Sequence, residues 1–319
     1  GSANQDVRDA AYKALAGVVT LDDFDRLATL LSNVSPEYVT SIQEAMKSAI
    51  KAQSSQKQYE LIAARIKQSS NQSAYYPVLA QTNTNEAIQL LKTEYSEKGQ
   101  EAAFKALLQI NNPQMIEVLF QIATEKEAVR GEALSRYATL VAGSSQTGIR
   151  KYQLYRQALE LNPPVNVQKQ ILNALSSIHE FPSLLLTSKY LSNKETAPAA
   201  AAAVKAIMSK NGEQLGGTTV KAILEKAQSV YKGLSGADDG YAIDEISKLL
   251  SQLPSAEYLP LFDGTLNAWT NDKKNAWIAS SSELTCEKGK TGTISTKKDY
   301  ENFEMYIEWK TAGKAGIAV

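Results

Sequence analysis

Apolar residues recur every three or four positions through roughly the first 250 residues, then every second position near the end of the chain. The first spacing belongs to helices with one buried stripe, the second to a strand with one buried face. Val167, Ile171, Ala174, Leu175 and Ile178 mark one such stripe, with successive spacings of four, three, one and three. Start signals accompany several stripes. Ser35-Pro36-Glu37 sets a capping hydroxyl, a proline and an acid before Tyr38, Val39, Ile42, Met46 and Ile50. Asn112-Pro113 precedes Met115, Ile116, Leu119, Phe120 and Ala123 in the same way, and Asn162-Pro163-Pro164 separates two helices. Thr196 is expected to cap a further helix with Pro198 in its first turn. The alanine run 199–203 is expected to let neighbouring helices approach closely.

Some of these helices resemble one another. Segments 7–15, 129–137, 167–175 and 199–207 can be laid in one frame, and 99–107 fits it more loosely. From 99 the frame restarts at 129, 167 and 199, in steps of 30, 38 and 32 residues. A helix pair with its turns has about that length. The pattern resembles HEAT repeats, whose second helix often opens with Val-Arg, as Val7-Arg8 and Val129-Arg130 do here. Over residues 5–253 this resemblance implies an α-solenoid of about six or seven antiparallel helix pairs, without strands.

The grammar changes at 253–260, which predicts a helical domain at 1–253 and a β segment at 254–319. Phe303, Met305, Ile307 and Trp309 alternate with Glu304, Tyr306, Glu308 and Lys310, the pattern of a strand with one face covered. Shorter strand candidates are Trp277-Ile278-Ala279, Leu284-Thr285-Cys286 and Thr293-Ile294-Ser295-Thr296, with Gly289 and Gly292 as turn material. Leu259-Pro260-Leu261-Phe262-Asp263-Gly264-Thr265-Leu266, followed by Trp269 and Trp277, resembles the opening motif of the 3-keto-disaccharide hydrolase family. The segment 294–304, with Tyr300 before a strand, matches a second part of that family's pattern, and 313–317 a third. Lys314-Ala315 replaces the usual polar-serine pair there. The resemblance implies the N-terminal part of an all-β concanavalin A-like sandwich and cleavage of glycosidic bonds in 3-keto-disaccharides or related glycosides. About 60 residues supply four or five strands at ordinary lengths, too few for two packed sheets. The β domain is therefore expected to be incomplete in this chain, and the chain by itself to lack hydrolase activity.

Composition narrows the alternatives. At 319 residues the chain is long for one core, so two domains are expected. Lys plus Arg and Asp plus Glu each number 34, giving no net charge to attract a phosphate backbone. Nucleic acid is not an expected partner. No run of about 18 apolar residues occurs, so no membrane span is expected. Cys286 is the only cysteine, which excludes an intrachain disulfide and fits cytosol and bacterial periplasm alike. Gly1-Ser2 in place of an initiator Met is expected for a processed start or a vector remnant. The expected setting is periplasmic or extracellular, in a bacterium.

Glu304, Tyr306 and Glu308 are the candidate carbohydrate-binding residues; no catalytic residue can be assigned. Glu304 and Glu308 share a strand face about 13 Å apart at ~3.3 Å per residue. That is beyond the ~5–9.5 Å of a glycosidase carboxylate pair, so the two cannot form one together. The alternative for this face is a solvated outer surface. Trp269 and Trp277 are read as core rather than sugar platforms, and Phe262-Asp263-Gly264 as a turn. His179, the one histidine, is placed at a helix C-terminus where a cation suits the dipole. One His and one Cys supply none of the usual zinc ligand sets, so neither a metal nor another cofactor is expected. Asp22-Asp23-Phe24-Asp25 and Asp238-Asp239-Gly240 read as helix starts, and Gly216-Gly217-Thr218-Thr219 as a turn and cap. Two functions remain open: a carbohydrate-active hydrolase on a helical scaffold, or a non-catalytic carbohydrate- or protein-binding scaffold with a protein partner on the helical array.

Overall fold

Each apolar stripe becomes one helix. The computed structural model describes residues 4–211, 214–234, 239–255, 260–271, 276–280, 283–301, 303, 305–307, 309–311 and 316. A first compact unit, 1–178, holds α1 (Gln5–Val18), α2 (Phe24–Asn33), α3 (Val39–Ile50), α4 (Ser55–Gln68), α5 (Tyr76–Ala80) and α6 (Asn85–Ser96). It continues with α7 (Glu101–Leu107), α8 (Met115–Glu125), α9 (Arg130–Gly143), α10 (Gly148–Glu160) and α11 (Val165–Leu175). A second unit, 179–319, holds α12 (Phe181–Ser188), α13 (Ala197–Asn211), α14 (Gly217–Lys232) and α15 (Asp239–Ser251).

The helices pack as consecutive pairs: α2 with α3, α4 with α5, α6 with α7, α8 with α9, α10 with α11, α12 with α13 and α14 with α15. Odd-numbered helices also pack on one another. In the first unit α1 meets α3, α3 meets α5, α5 meets α7 and α9 meets α11; in the second α13 meets α15. All five segments that share the repeating sequence frame fall on odd-numbered helices, each of which packs on another odd-numbered helix of its own unit. The alanine run serves this closeness, with Ala200, Ala201 and Ala203 at 1% exposure or less.

Side chains standing in for backbone tie successive turns together. Asn83 has φ +53°, in the left-handed region that asparagine tolerates better than most residues. Its Oδ1 accepts the Asn111 N–H at 2.7 Å, and its carbonyl accepts Asn112 Nδ2 at 2.8 Å. Gln170 of α11 donates to the Ser135 carbonyl of α9 at 3.0 Å, while Ser135 Oγ donates back to Gln170 Oε1 at 2.8 Å. Between α9 and α10 two buried phenols cross. Tyr137 Oη donates to the Leu154 carbonyl (2.9 Å) and Tyr155 Oη to that of Ala138 (3.4 Å). Burial pushes both hydroxyls up, Tyr155 to about 12, because the phenolate cannot be solvated there.

Two expected caps differ in detail. Pro36–Tyr38 forms a 3₁₀ turn before α3, and the Ser35 side chain makes no capping bond. Thr196 is fully buried, and its hydroxyl donates backwards to the Tyr190 carbonyl at 3.1 Å rather than accepting from the first turn of α13. The preceding turn offered a buried acceptor, and the hydroxyl satisfied that instead. His179 lies beyond the end of α11, immediately before α12, and the Asn211 side-chain amide donates to its carbonyl.

Among the described residues the C-terminal part holds four three-residue strands. β1 (Trp269–Asn271) pairs antiparallel with β4 (Ile294–Thr296), and β2 (Trp277–Ala279) with β3 (Leu284–Cys286). The second ladder is nested within the first along the chain, and no facing second sheet occurs among the described residues. The strongest strand pattern in the sequence forms no strand among its described residues: Phe303, 305–307 and 309–311 carry no ladder. Phe303, Ile307 and Trp309 are 48%, 41% and 58% exposed and Met305 is half-buried, so most of the face expected to be covered is open. Alternation fixes which residues share a face. It supplies neither the hydrogen-bonding edge nor the apolar cover that turns a face into a strand.

On α12, one turn apart, the Ser183 and Thr187 hydroxyls are buried at 0% exposure without a hydrogen-bond partner among the described residues. An unpartnered buried hydroxyl costs stability that an apolar group of the same shape does not. Ser183→Ala and Thr187→Val are each expected to raise stability by about 1 kcal/mol, read as an upward shift of the urea midpoint with unchanged slope. A lower midpoint for both would show that the hydroxyls are bonded.

Candidate functional site

The C-terminal segment begins with a turn that its own side chains close. Asp263 Oδ1 accepts the Thr265 N–H at 2.9 Å and the Thr265 hydroxyl at 2.7 Å, with Gly264 between them at φ +88°. The turn read from Phe262-Asp263-Gly264 is present, and its geometry calls for glycine at 264. The Thr265 hydroxyl and backbone bonds hold the Asp263 carboxyl below its ordinary value. Lys297 fastens the turn to the far end of the segment, Nζ to the Asn267 carbonyl (2.8 Å) and N–H to that of Ala268 (2.9 Å).

The ladders place the tryptophans. Trp269 faces Thr296, and Trp277 faces Cys286. Trp277 Nε1 donates to the Gly292 carbonyl at 3.3 Å, across the turn in which Gly289 has φ +82°. Trp269 Nε1 is buried without an acceptor among the described residues. Both rings are partly buried within the ladders, which favours the packing role over a free sugar platform. Beyond β4 an aromatic string follows. Lys298 Nζ sits 5.2 Å from the Tyr300 ring centre, and Tyr300 meets Phe303 edge-on at 6.1 Å.

Residues 257–319 match the model of the 3-keto-alpha-glucoside-1,2-lyase-like domain. The segment is similar to that family's domain over about a fifth of the chain. No curated protein and no solved structure gives a significant match. The matched lyase-like segment therefore spans both ladders and the aromatic string beyond them.

Within it, Glu304 and Glu308 lie outside the described residues. Tyr306 is described: its ring centre lies 6.4 Å from that of Phe181 on α12, with the planes at 41°. The structure thus joins one candidate residue to a helix that sequence reasoning did not connect with the site. β1 was also missed, since Trp269-Thr270-Asn271 is too short to show a period. Among the described residues, no group of three or more His, Cys, Asp or Glu side chains is placed to hold a metal ion.

The first unit has a concave feature of its own, a cleft of about 520 Å³ between α4 and α6, lined in part by Tyr59, Leu90 and Glu94. Its buried acid is already engaged: Tyr76 Oη donates to Glu94 Oε2 at 3.0 Å and Lys98 Nζ to Oε1 at 2.6 Å. These bonds account for Glu94 as part of the packing of α5 on α6.

The Asp263 turn has a measurable signature. Its carboxyl is held low, so the stabilisation is complete above about pH 4 and is lost as pH falls through the lowered folded value. A pH titration of the Thr265 amide by NMR is expected to give a midpoint below the ordinary Asp value. Thr265→Val, which removes the hydroxyl donor, is expected to move that midpoint up. An unchanged midpoint would show that the hydroxyl does not hold the carboxylate.

Proposed function

We propose that the complete protein acts on carbohydrate, cleaving the glycosidic bond of 3-keto-disaccharides or related glycosides through the domain that opens near residue 258. The observation that carries this reading is the match of 257–319 to the lyase-like family, coinciding with the ladders and their aromatic residues. The chemistry follows from the ketone. A carbonyl at C3 acidifies the hydrogen on C2, and the C1 oxygen lies β to that carbonyl. Loss of the C2 proton and departure of the C1 oxygen break the C1–O bond and leave a C1–C2 double bond. Addition of water across it completes a net hydrolysis, so a 1,2-lyase step and a hydrolase outcome lie on one route. In this reading Glu304, Tyr306 and Glu308 contact the sugar, and the base that takes the C2 proton is left unassigned.

The helical part is a HEAT-like scaffold that carries this domain and presents a docking surface for a protein partner. No described helix is long and apolar enough to cross a membrane. The reading sets the protein in the periplasm or outside the cell.

Titration of a 3-keto-disaccharide, followed by tryptophan fluorescence, is expected to saturate, and the unoxidised parent sugar to bind more weakly. Tyr306→Ala is expected to weaken binding about threefold to tenfold, the worth of one aromatic contact. With the complete protein and substrate deuterated at C2, release of the leaving sugar with loss of deuterium identifies the elimination route. Saturable binding without release favours the non-catalytic carbohydrate-binding alternative. Neither binding nor release sinks the carbohydrate assignment altogether.

A further inference from the structure

We infer that Phe181 of α12 is the positioning residue for Tyr306, and that α12 is the platform on which the helical part holds the end of the lyase-like segment. The sugar-contacting half of this inference rests on the function proposed above; the docking half does not.

Phe181 is the first residue of α12, with Pro182 in the opening turn, and is only 8% exposed. Proline fixes its own φ in that turn, and α12 packs along α13, so the ring stands on a firmly held helix end. Tyr306 meets it in a tilted ring pair, the geometry that aromatic quadrupoles favour over a face-to-face sandwich. Alternation had put Tyr306 on the outer, polar face of 303–310 and Phe303, Met305, Ile307 and Trp309 on the inner one, of which Met305 is half-buried. In the structure Tyr306 is 37% exposed, less than Phe303, Ile307 or Trp309. The ring that finds a helical partner is therefore from the face that was to be solvated. A sugar stacked on Tyr306 would meet a ring whose plane is set by Phe181.

The experiment compares Phe181→Ala, Phe181→Leu and Phe181→Trp, with far-UV circular dichroism confirming that the helices remain. Amide exchange at 303, 305–307 and 309–311 is expected to quicken at least about threefold in Phe181→Ala, since a docked segment exchanges by local opening. Phe181→Trp is expected to keep the wild-type rate, and Phe181→Leu, which keeps apolar bulk without a ring, to fall between. In the 3-keto-disaccharide titration, Phe181→Ala should lose affinity as Tyr306→Ala does. The double variant should then lose no more than either single one, the mark of residues acting as a unit. Unchanged exchange in a folded Phe181→Ala protein overturns the docking platform, whatever the sugar result. Faster exchange in a protein that binds no sugar keeps the platform and removes the functional reading instead. Full additivity of the two losses overturns positioning and leaves Phe181 as packing alone.

Discussion

A helix with a single apolar stripe cannot cover that stripe by itself, and nearly everything in this protein follows from that constraint. α5 shows it most clearly. Five residues lie far below the length at which an isolated helix persists in water. Yet Tyr76, Val78, Leu79 and Ala80 are essentially fully buried, because α3, α4, α6 and α7 surround them. The helix exists because its neighbours do. The same dependence explains why odd-numbered helices touch two pairs and why alanine is concentrated in α13, where several helices converge. The polar cross-links obey it as well. Gln170 with Ser135, and Tyr137 and Tyr155 with the Leu154 and Ala138 carbonyls, satisfy groups that close packing would otherwise strand.

The helical part was legible because its information is local and repeated. Spacings such as those of 167–178 name the buried face directly, and the recurring frame selects the odd-numbered helices without any knowledge of their contacts. Legibility ended where a side chain had a choice of partners. Thr196 has the identity and place of a cap, but the Tyr190 carbonyl lay within reach, and only three dimensions reveal that option. Asn83 carries no sequence signal for its link to Asn111, since asparagine in a turn is unremarked until its neighbour in the next pair is known.

The C-terminal segment divides in the same way. Turn residues and short strands around Trp277, Leu284 and Ile294 could be read from the chain, because glycine placement and β-branched neighbours are local facts. The period of 303–310 was just as clear and yet did not produce a strand among the described residues, since a ladder is a property of two segments. The partnership of Tyr306 with Phe181 was beyond sequence reasoning for a related reason: Phe181 sits in a helix whose own stripe already explains an apolar residue there.

The Asn83 bridge sets a ruler along the chain. One end is a side chain of fixed, short reach, and the other is the pair of polar groups at Asn111 and Asn112. Between them run two helices in which a single added residue turns everything downstream by about 100°. A length change within α6 or α7 would therefore carry Asn111 out of range and aim the next pair in a new direction. Variation in length between these marks belongs in the connection from 97 to 100. There Gly99, at φ +67° with open space where a side chain would begin, lets the backbone absorb it.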